Sequence, residues 1–194
     1  SHTTSSTKPT ENKRPIHILI APSWGANGTI ELGIAHGIVA NLLQRGFEVT
    51  LRPHPQSLKF AATQVDAITS KFSHHPLFSF EDNVAGQESL HASDMMISDW
   101  SGAALDYALG LKKPVLFIDV PRKINDPSYD QLNIEPIESS IRDKIGIVVA
   151  PDCTELPIEQ CMMIDNSCLD LSGLVFNVSR SNEVGARAIL DLLD

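Results

Sequence analysis

The chain reads SDMMISDWSG from Ser93 to Gly102, and this segment carries the clearest signal of its secondary structure. Met95–Ser98 is an apolar run of strand length, and a tight polar turn follows it. Ala103–Leu109 then has the pattern of a helix, with Gly110 as its stop signal, and Val115–Ile118 is a second apolar run. The order strand, turn, helix and strand predicts one parallel βαβ unit.

The turn inside this unit has the character of an anion site. Ser101 and Gly102 fall where the helix is predicted to begin, so unpaired backbone N–H groups and the positive end of the helix dipole meet there. Both features favour a phosphate group. A simple N-cap role for Ser101 stays open beside this one, because one serine can fill both roles.

Short apolar runs alternate with amphipathic segments on both sides of this unit. Further strands are predicted at Ile16–Ala21, Phe47–Leu51, Leu77–Phe80 and Ile145–Val149. Further helices are predicted from Ile30, capped by Thr29, to Gly46, and at Ser57–Phe72, Val84–Ala92, Pro136–Lys144, Leu156–Met163 and Glu183–Leu193, the last capped by Asn182. Asp119–Glu135 is a long loop of the kind that is often functional. This order predicts an α/β fold, a Rossmann-like three-layer domain with a parallel sheet.

Length and composition predict one globular core. The chain has 194 residues, of which 42% are hydrophobic and 20% charged. Ser1–Arg14 carries no large apolar side chain and is predicted to be a disordered tail or linker, which leaves 15–194 as a single nucleotide-binding domain. Because the chain does not begin with Met, we expect it to be a trimmed piece of a longer protein.

Charge, cysteines and ligand spacing exclude several classes of function. The formal net charge of −9 argues against nucleic acid and anionic membranes as partners. No apolar run approaches the roughly 18 residues of a membrane span, so direct membrane insertion is not expected. Cys153, Cys161 and Cys168 are odd in number and lack Cys-x-x-Cys spacing, which indicates free thiols in a reducing compartment. Histidines and carboxylates do not cluster at ligand spacing, so no metal and no other cofactor is expected to be obligatory.

In parallel α/β sheets the ligand lies beyond the carboxyl ends of the strands. That rule selects four loops, Pro22–Thr29, Arg52–Pro55, Phe80–Asn83 and Asp99–Gly102. The first loop offers Gly25, Gly28 and a helix N-terminus. The second offers Arg52 and His54, and the prolines on both sides of His54 hold it in an extended pose. A rigid imidazole there can donate to a phosphate oxygen or transfer a proton, and the alternative is a surface turn in which His54 has no role.

These same pieces carry a resemblance to a known family. They are Ile18–Trp24, Leu51–Pro55 and Ser93–Gly102, followed by Asp106 and Lys113-Pro114-Val115. In order and spacing they resemble the CDP-glycerol glycerophosphotransferase family, whose members build teichoic-acid and capsule polymers on a two-domain GT-B fold. The resemblance covers about Ile16–Asp119, the core of the family's C-terminal, donor-binding half. The sequence departs from the family at Gly102, where a second serine is usual, which removes one hydroxyl from the phosphate cradle but keeps the N–H group.

The resemblance implies transfer of glycerol phosphate, or a related polyol phosphate, from CDP-glycerol or a similar donor to a polymer or lipid-linked acceptor. His54 is the implied catalytic residue and binds the pyrophosphate. The implied donor- and phosphate-binding residues are Arg52, Ser101, Gly102, Ser23, Gly25, Gly28 and Thr29. In supporting roles, Asp99 braces the turn and Asp106 contacts the ribose. Glu138 and Arg142 are weaker candidates for nucleoside contact, and an i,i+4 surface ion pair is the favoured interpretation of that pair.

The resemblance also implies partners and a location. A second GT-B domain is expected N-terminal to this one in the parent protein, which is expected to be cytoplasmic and held at the inner face of the membrane through its other parts. Two alternatives remain open. One is a UDP-sugar glycosyltransferase or epimerase of GT-B architecture, resembling UDP-N-acetylglucosamine 2-epimerase. The other is a non-catalytic α/β module that binds a nucleotide or a partner protein.

Overall fold

The computed structural model describes residues 14–83, 85–124, 126, 128–132, 134–170, 175–177 and 179–193. Apart from Arg14, the predicted tail lies outside these ranges. Six strands form one sheet in the order β3-β2-β1-β4-β5-β6, and every neighbouring pair is parallel. The strands are β1 His17–Ile20, β2 Glu48–Leu51, β3 Phe78–Phe80, β4 Met95–Ser98, β5 Val115–Ile118 and β6 Gly146–Val149. The direction of winding reverses between β1 and β4, which is where such sheets bind ligands.

Helices connect the strands. The α-helices are α1 Ile34–Gln44, α2 Pro55–Phe60, α3 Ala62–Phe72, α4 Glu88–Ala92, α5 Gly102–Leu105, α6 Ile137–Ser140, α7 Arg142–Ile145, α8 Ile158–Met162 and α9 Ser181–Asp191. A π-helix, Asp106–Gly110, continues α5, and short 3-10 helices lie at Tyr129–Leu132 and Asn166–Cys168. No described side chain of α9 is buried, so the single domain over 15–194 stays a prediction.

Strand periodicity divides the core into two layers. Ile18 and Ile20 of β1 point to one face of the sheet, where they pack with α1 and α3. Leu19, between them, points to the other face and packs with Tyr107 of the π-helix and Ile141. The sheet is therefore covered on both sides, as an all-parallel sheet requires. The predicted three-layer α/β fold is confirmed.

The strand predictions hold, and β4 and β5 have the predicted bounds. Several helix predictions are wrong in detail. The predicted helix Ser57–Phe72 is two helices, which meet at Ala61, and Pro136–Lys144 is likewise divided at Ile141. Asn182 lies inside α9, whose N-cap position is Arg180. The helix after β4 changes to π geometry, so Gly110 ends a π-helix.

The predicted start of the first long helix at Ile30 is also wrong. Residues 29–33 form turns, and α1 begins at Ile34 after Gly33, which has a φ of 75° that favours glycine. Thr29 therefore does not cap α1 with its side chain. The loop after β1 does not end in the helix N-terminus that the sequence predicted for it.

Asp94 of the SDMMISDWSG segment lies at the amino ends of the strands, at the opposite end of the sheet from the predicted ligand-binding edge. Asp94 accepts hydrogen bonds from both Arg14 guanidinium nitrogens, at 2.8 and 2.6 Å, and from the His17 N–H at 2.8 Å. Lys113 donates to the backbone carbonyl oxygens of His91 and Ser93, both at 2.6 Å. These contacts hold the amino ends of β1, β4 and β5 together. The Ser93-Asp94 and Lys113-Pro114 parts of the sequence motif therefore have a structural role.

The Asp94 contacts predict a pH-dependent contribution to stability. Burial raises the pKa of Asp94, but the bonds from Arg14 and His17 outweigh it, and the net pKa lies below the ordinary 3.8. The stabilisation is present above the ordinary carboxyl pKa and is lost as the pH falls through the lower pKa of the folded state. We expect Asp94→Asn to lower the free energy of unfolding by about 1 kcal/mol near neutral pH, a value reduced by solvent screening. In urea unfolding, the difference between wild type and variant should shrink toward about pH 3, and a difference that stays constant would contradict this account.

Candidate functional site

A cavity of about 400 Å³ opens at the carboxyl ends of β1, β2 and β4. Its lining comes from the loops that follow these strands and from the segment that leads into α4. The lining residues are Ala21, Pro22, Arg52, Pro53, His54, Pro55, Ala85, Gly86, Gln87, Leu90, Ser101, Ala103 and Asp106. Chain segments far apart in sequence thus meet at the reversal point of the sheet, as the strand-end rule predicts. The sequence had selected Phe80–Asn83 from the third loop, whereas the residues just after it line the cavity.

His54 is held in one orientation and one tautomer. Its backbone is extended, with a ψ of 143°, and Pro55 begins α2 directly after it. The Gln56 N–H donates to His54 Nδ1 at 3.1 Å, so Nδ1 must accept and Nε2 carries the proton of the neutral ring. Burial, and next the positive charge of Lys123, lower the pKa of His54 below 6.5, which keeps the ring neutral at neutral pH. His54 therefore offers an Nε2–H donor. This state of the ring is better suited to binding a phosphate oxygen than to acting as a general base.

Arg52 is fixed beside His54. Its Nη2 donates to the Gly86 carbonyl oxygen at 3.1 Å, and its Nε lies 3.7 Å from Glu81 Oε1. The side chain is only 10% exposed. These contacts orient the guanidinium at the cavity wall and tie the loop after β2 to the loop after β3.

The Ser101 turn contributes the third wall. Ser101 is the N-cap of α5, and its Oγ accepts from the Ala103 N–H at 3.3 Å. The N-cap role that the sequence left open is therefore present, and Ser101 also lines the cavity. Gly102 is exposed at the first position of α5 and is not among the lining residues, while Asp106, one turn later, lines the cavity.

Asp99 organises the loop after β1 from beneath. Its buried carboxylate accepts four hydrogen bonds, from the Ser23 N–H at 2.6 Å, the Trp100 N–H at 2.7 Å, and the Thr29 N–H and hydroxyl at 3.1 and 2.8 Å. The carboxylate is thus committed to structure, as the sequence predicted for it. It joins the loop after β1 to the loop after β4, which are 70 or more residues apart in sequence.

The loop after β1, where the sequence predicts a phosphate cradle, has most of its backbone donors engaged in hydrogen bonds within the protein. The N–H groups of Ser23 and Thr29 are taken by Asp99, and that of Gly28 by the Gly25 carbonyl oxygen at 2.7 Å. The Gly25 N–H faces Glu31 Oε1 at 3.4 Å, and Gly25 is needed for its φ of 126°. The backbone donors of these residues are therefore largely engaged within the protein, and their role in phosphate binding stays a prediction.

The predicted surface ion pair between Glu138 and Arg142 is wrong as well. Arg142 is only 5% exposed, and its Nη1 donates to Asp119 Oδ1 at 2.9 Å. Its guanidinium carbon lies 3.9 Å from the centroid of the Trp100 ring. Arg142 does not line the larger cavity, and its weaker assignment to nucleoside contact stays a prediction. Glu138 does not line the cavity either.

A second, smaller cavity of about 180 Å³ lies beside the first, and Ser23, Gly25 and Gly28 of the predicted loop after β1 are part of its lining. Trp24 and Trp100 line it together with Lys123. The Lys123 ammonium lies 3.4 Å from the centroid of the Trp24 ring, and Trp24 in turn stacks on His54 with ring centroids 5.8 Å apart. The sequence prediction selected the loop Pro22–Thr29 but missed Lys123 and Trp100, and the signal available for Lys123 was its place in the long loop Asp119–Glu135.

Comparison with known proteins identifies the family. A family model described as CDP-Glycerol:Poly(glycerophosphate) glycerophosphotransferase matches residues 4–122. The chain belongs to this family. The matched range holds the whole lining of the larger cavity, so the glycerophosphotransferase match and the site fall on the same residues. None of the curated proteins compared with the chain matches it.

Among solved structures, two of UDP-GlcNAc 2-epimerase from Methanocaldococcus jannaschii are similar in fold. The complex with UDP-GlcNAc and UDP aligns with a TM-score of 0.51 and 13% identity, over 79% of this chain and 40% of the epimerase. The other structure aligns with a TM-score of 0.51 and 14% identity, over 77% and 39%. At this identity the likeness shows the fold alone, and this glycerophosphotransferase-family chain spans about two fifths of the epimerase.

Three further findings for this glycerophosphotransferase-family chain concern Gly102, metal ions and membrane spans. A Cβ atom added at Gly102 would meet no other atom within 4 Å, so the serine usual in the family would fit there without displacing a neighbour. Among the described residues, no group of three or more His, Cys, Asp or Glu side chains has a geometry that could hold a metal ion. Within those same ranges, no helix has the length and hydropathy of a membrane span.

Proposed function

We propose that this chain is the donor-binding domain of a transferase that moves glycerol phosphate, or a related polyol phosphate, from a CDP-activated donor to an acceptor hydroxyl. One observation carries the proposal: the protonated Nε2 of His54, the guanidinium of Arg52 and the N-cap turn at Ser101 border a single cavity at the reversal point of the sheet. These are donors suited to the two phosphates of a nucleoside diphosphate.

In this proposal the pyrophosphate lies against His54, Arg52 and Ser101. The carboxylate of Asp106 accepts hydrogen bonds from the ribose hydroxyls, and the wall formed by 85–87 and Leu90 faces the nucleoside. The cavity of about 400 Å³ falls within the range of small-molecule sites, which begins at about 300 Å³. The family model names CDP-glycerol, which is why cytidine is the proposed nucleoside.

The proposed reaction is a phosphoryl transfer. The acceptor oxygen forms a bond to the distal phosphorus, the bond from that phosphorus to the bridging oxygen breaks, and CMP leaves with the bonding electrons. The hydroxyl proton passes to a base on the second domain, which is expected N-terminal in the parent protein. His54 and Arg52 stabilise the charge that develops on the leaving CMP phosphate.

The proposal extends to cofactors, partners and location. The Arg52 guanidinium and the neutral His54 Nε2–H supply the stabilisation that a divalent cation would otherwise give, so no metal is proposed to be obligatory. The acceptor is a polymer or a lipid-linked chain, and the parent protein works in the cytoplasm at the inner face of the membrane, in cell-wall or capsule synthesis. Donor binding that disappears with EDTA and returns with Mg²⁺ would exclude the metal-free proposal.

A ligand panel tests the proposed function. CDP-glycerol, CDP, UDP-GlcNAc and UDP are titrated separately into the chain in a calorimeter. We expect CDP-glycerol and CDP to bind in the micromolar to millimolar range, and the UDP compounds at least about tenfold more weakly. Tighter binding of UDP-GlcNAc than of CDP-glycerol would support the alternative of a UDP-sugar glycosyltransferase or epimerase. If none of the four compounds binds, the alternative of a non-catalytic module is favoured.

A further inference from the structure

We propose that the smaller cavity, bounded by Trp24 and Trp100, is an anion subsite that binds a phosphate of the acceptor chain. This inference rests on the proposed function, because it requires a phosphate-bearing acceptor such as the poly(glycerophosphate) that the family description names. The subsite is distinct from the donor cavity, since no residue lines both.

Two accessible cations border the subsite. Lys123 lines it and is exposed, and its ammonium lies 3.4 Å from the Trp24 centroid. Arg122 is half-buried, with its guanidinium carbon 5.1 Å from the Trp100 centroid. In the part of the chain that the structure describes, neither cation has a carboxylate within 4.0 Å. Both are therefore positioned against aromatic surfaces, with their charge left for an outside anion.

A buried cation supports them from below. Arg142 stacks on Trp100 and is 5% exposed, and within the described ranges its Nε and Nη2 have no hydrogen-bond partner. Its one ion-pair partner, Asp119, has a side chain that is 53% exposed. The positive charge beneath the Trp100 ring is thus only partly compensated by the protein.

Three carboxylates lie near these cations, and each accepts a hydrogen bond from a donor of the protein. Asp99 lies beneath the loop, with its charge shared among four donors. Glu31 Oε1 accepts from the Ser57 hydroxyl at 2.7 Å, while its buried Oε2 lies beside Gly28 and has no hydrogen-bond partner among the described residues. Asp119 is exposed but is paired with Arg142 at 2.9 Å. Arg122 and Lys123 are therefore the charged groups near the cavity that have no carboxylate partner within the described ranges.

Size and stacking favour a phosphate over a nucleoside here. The volume of about 180 Å³ lies below the roughly 300 Å³ at which drug-sized ligand sites begin. Trp24 and Trp100 already carry cations against their rings, so they are not free stacking platforms. A phosphodiester between two small polyols presents the charge and the modest bulk that this cavity accepts.

The position of the subsite suits an acceptor. Trp24 lines the subsite and stacks on His54, which lines the donor cavity, so one indole separates the two sites. An acceptor anchored by its phosphate at Lys123 would extend its terminal hydroxyl past Trp24 toward the distal phosphorus of the donor. Anchoring of this kind holds the acceptor hydroxyl near the donor, so that the bimolecular step becomes effectively unimolecular.

The test uses a synthetic trimer of glycerol phosphate, titrated into the chain with and without saturating CDP. Both tryptophans of the chain line the subsite, so intrinsic fluorescence reports binding together with calorimetry. We expect the trimer to bind in both conditions and the double variant Arg122→Met/Lys123→Met to bind it at least about tenfold more weakly. CDP affinity should change less than about twofold in the single variant Arg122→Met, because Lys123 but not Arg122 is among the groups that shift the pKa of His54. The control is Lys71→Met/Arg187→Met, which removes one lysine and one arginine from exposed helix positions.

Three results would overturn the inference. CDP that competes with the trimer would place the trimer in the donor cavity. Unchanged trimer affinity in the double variant would exclude Arg122 and Lys123. Inorganic phosphate that binds as tightly as the trimer would make the subsite a site for free phosphate. Failure of CDP itself to bind would refute the proposed function. That result comes from the CDP titration alone, so it is distinguishable from a failure of the subsite, which the trimer titration of the double variant measures.

Discussion

Asp99→Asn is expected to lower the free energy of unfolding by about 2–4 kcal/mol, because each buried donor left without an acceptor costs about 1–3 kcal/mol. Asp99 Oδ1 accepts from two backbone N–H groups, and Oδ2 accepts from an N–H and a hydroxyl. An asparagine amide has one oxygen and one NH₂ group. In either orientation the NH₂ group faces at least one buried N–H donor. The Thr29 hydroxyl can reverse its role, but the backbone donors cannot.

Urea unfolding followed by circular dichroism measures this loss. Asp66→Asn, on the exposed face of α3, is the matched control and should stay within about 0.5 kcal/mol of wild type. An Asp99→Asn variant as stable as that control would show that the four hydrogen bonds do not hold the loop. We also expect weaker binding of the glycerol phosphate trimer, because Asp99 positions both the Ser23–Thr29 loop and Trp100.

The second large effect is expected in catalysis: this chain alone should bind the donor and release almost no CMP. The rate is expected to lie at least about 10⁴-fold below the roughly 10 s⁻¹ that is typical of enzymes. Phosphoryl transfer needs a base within hydrogen-bond reach of the attacking hydroxyl. Asp99 is buried and committed to four donors, and His54 Nε2 already carries a proton. Closure of a second domain would also exclude water and orient the acceptor.

A coupled assay for CMP, with CDP-glycerol as donor and the glycerol phosphate trimer as acceptor, measures this rate. A parallel CDP titration confirms that the chain used in the assay is folded and binds. Multiple turnovers that His54→Ala abolishes would show that the active site is complete within this chain. The requirement for a second domain would then be wrong.

Much of the fold follows from local sequence. Met95–Ser98 and Val115–Ile118 are apolar runs with polar or Pro-containing boundaries, so their strand bounds are those predicted. The position of His54 at a strand end also follows, because Pro53 and Pro55 leave its backbone one extended conformation. The helix boundaries were less predictable. Nothing local to 29–33 shows that these residues form turns that delay α1 to Ile34.

Features of the candidate site that depend on neighbours in sequence could be predicted, whereas contacts between distant residues could not. Glycines near a strand end predict a phosphate loop only if their N–H groups remain free. Here Asp99, 70 residues or more away, takes the donors of Ser23 and Thr29. Likewise, Lys123 meets Trp24 and Arg142 meets Trp100 only through the fold, and no spacing rule indicates those pairs. Tertiary hydrogen bonds and ring contacts, which sequence patterns do not encode, decided both outcomes.

The central claim is that His54, with its Nε2–H donor, binds the phosphates of a nucleotide donor in the larger cavity. Calorimetric titration of CDP into wild type, His54→Ala and the exposed-residue control His74→Ala tests it most directly. The account predicts that His54→Ala weakens CDP binding by about 1–3 kcal/mol, the usual range for a lost charge-assisted hydrogen bond. This corresponds to between about fivefold and about 150-fold in Kd, with His74→Ala unchanged. Equal CDP affinity in all three proteins would contradict it.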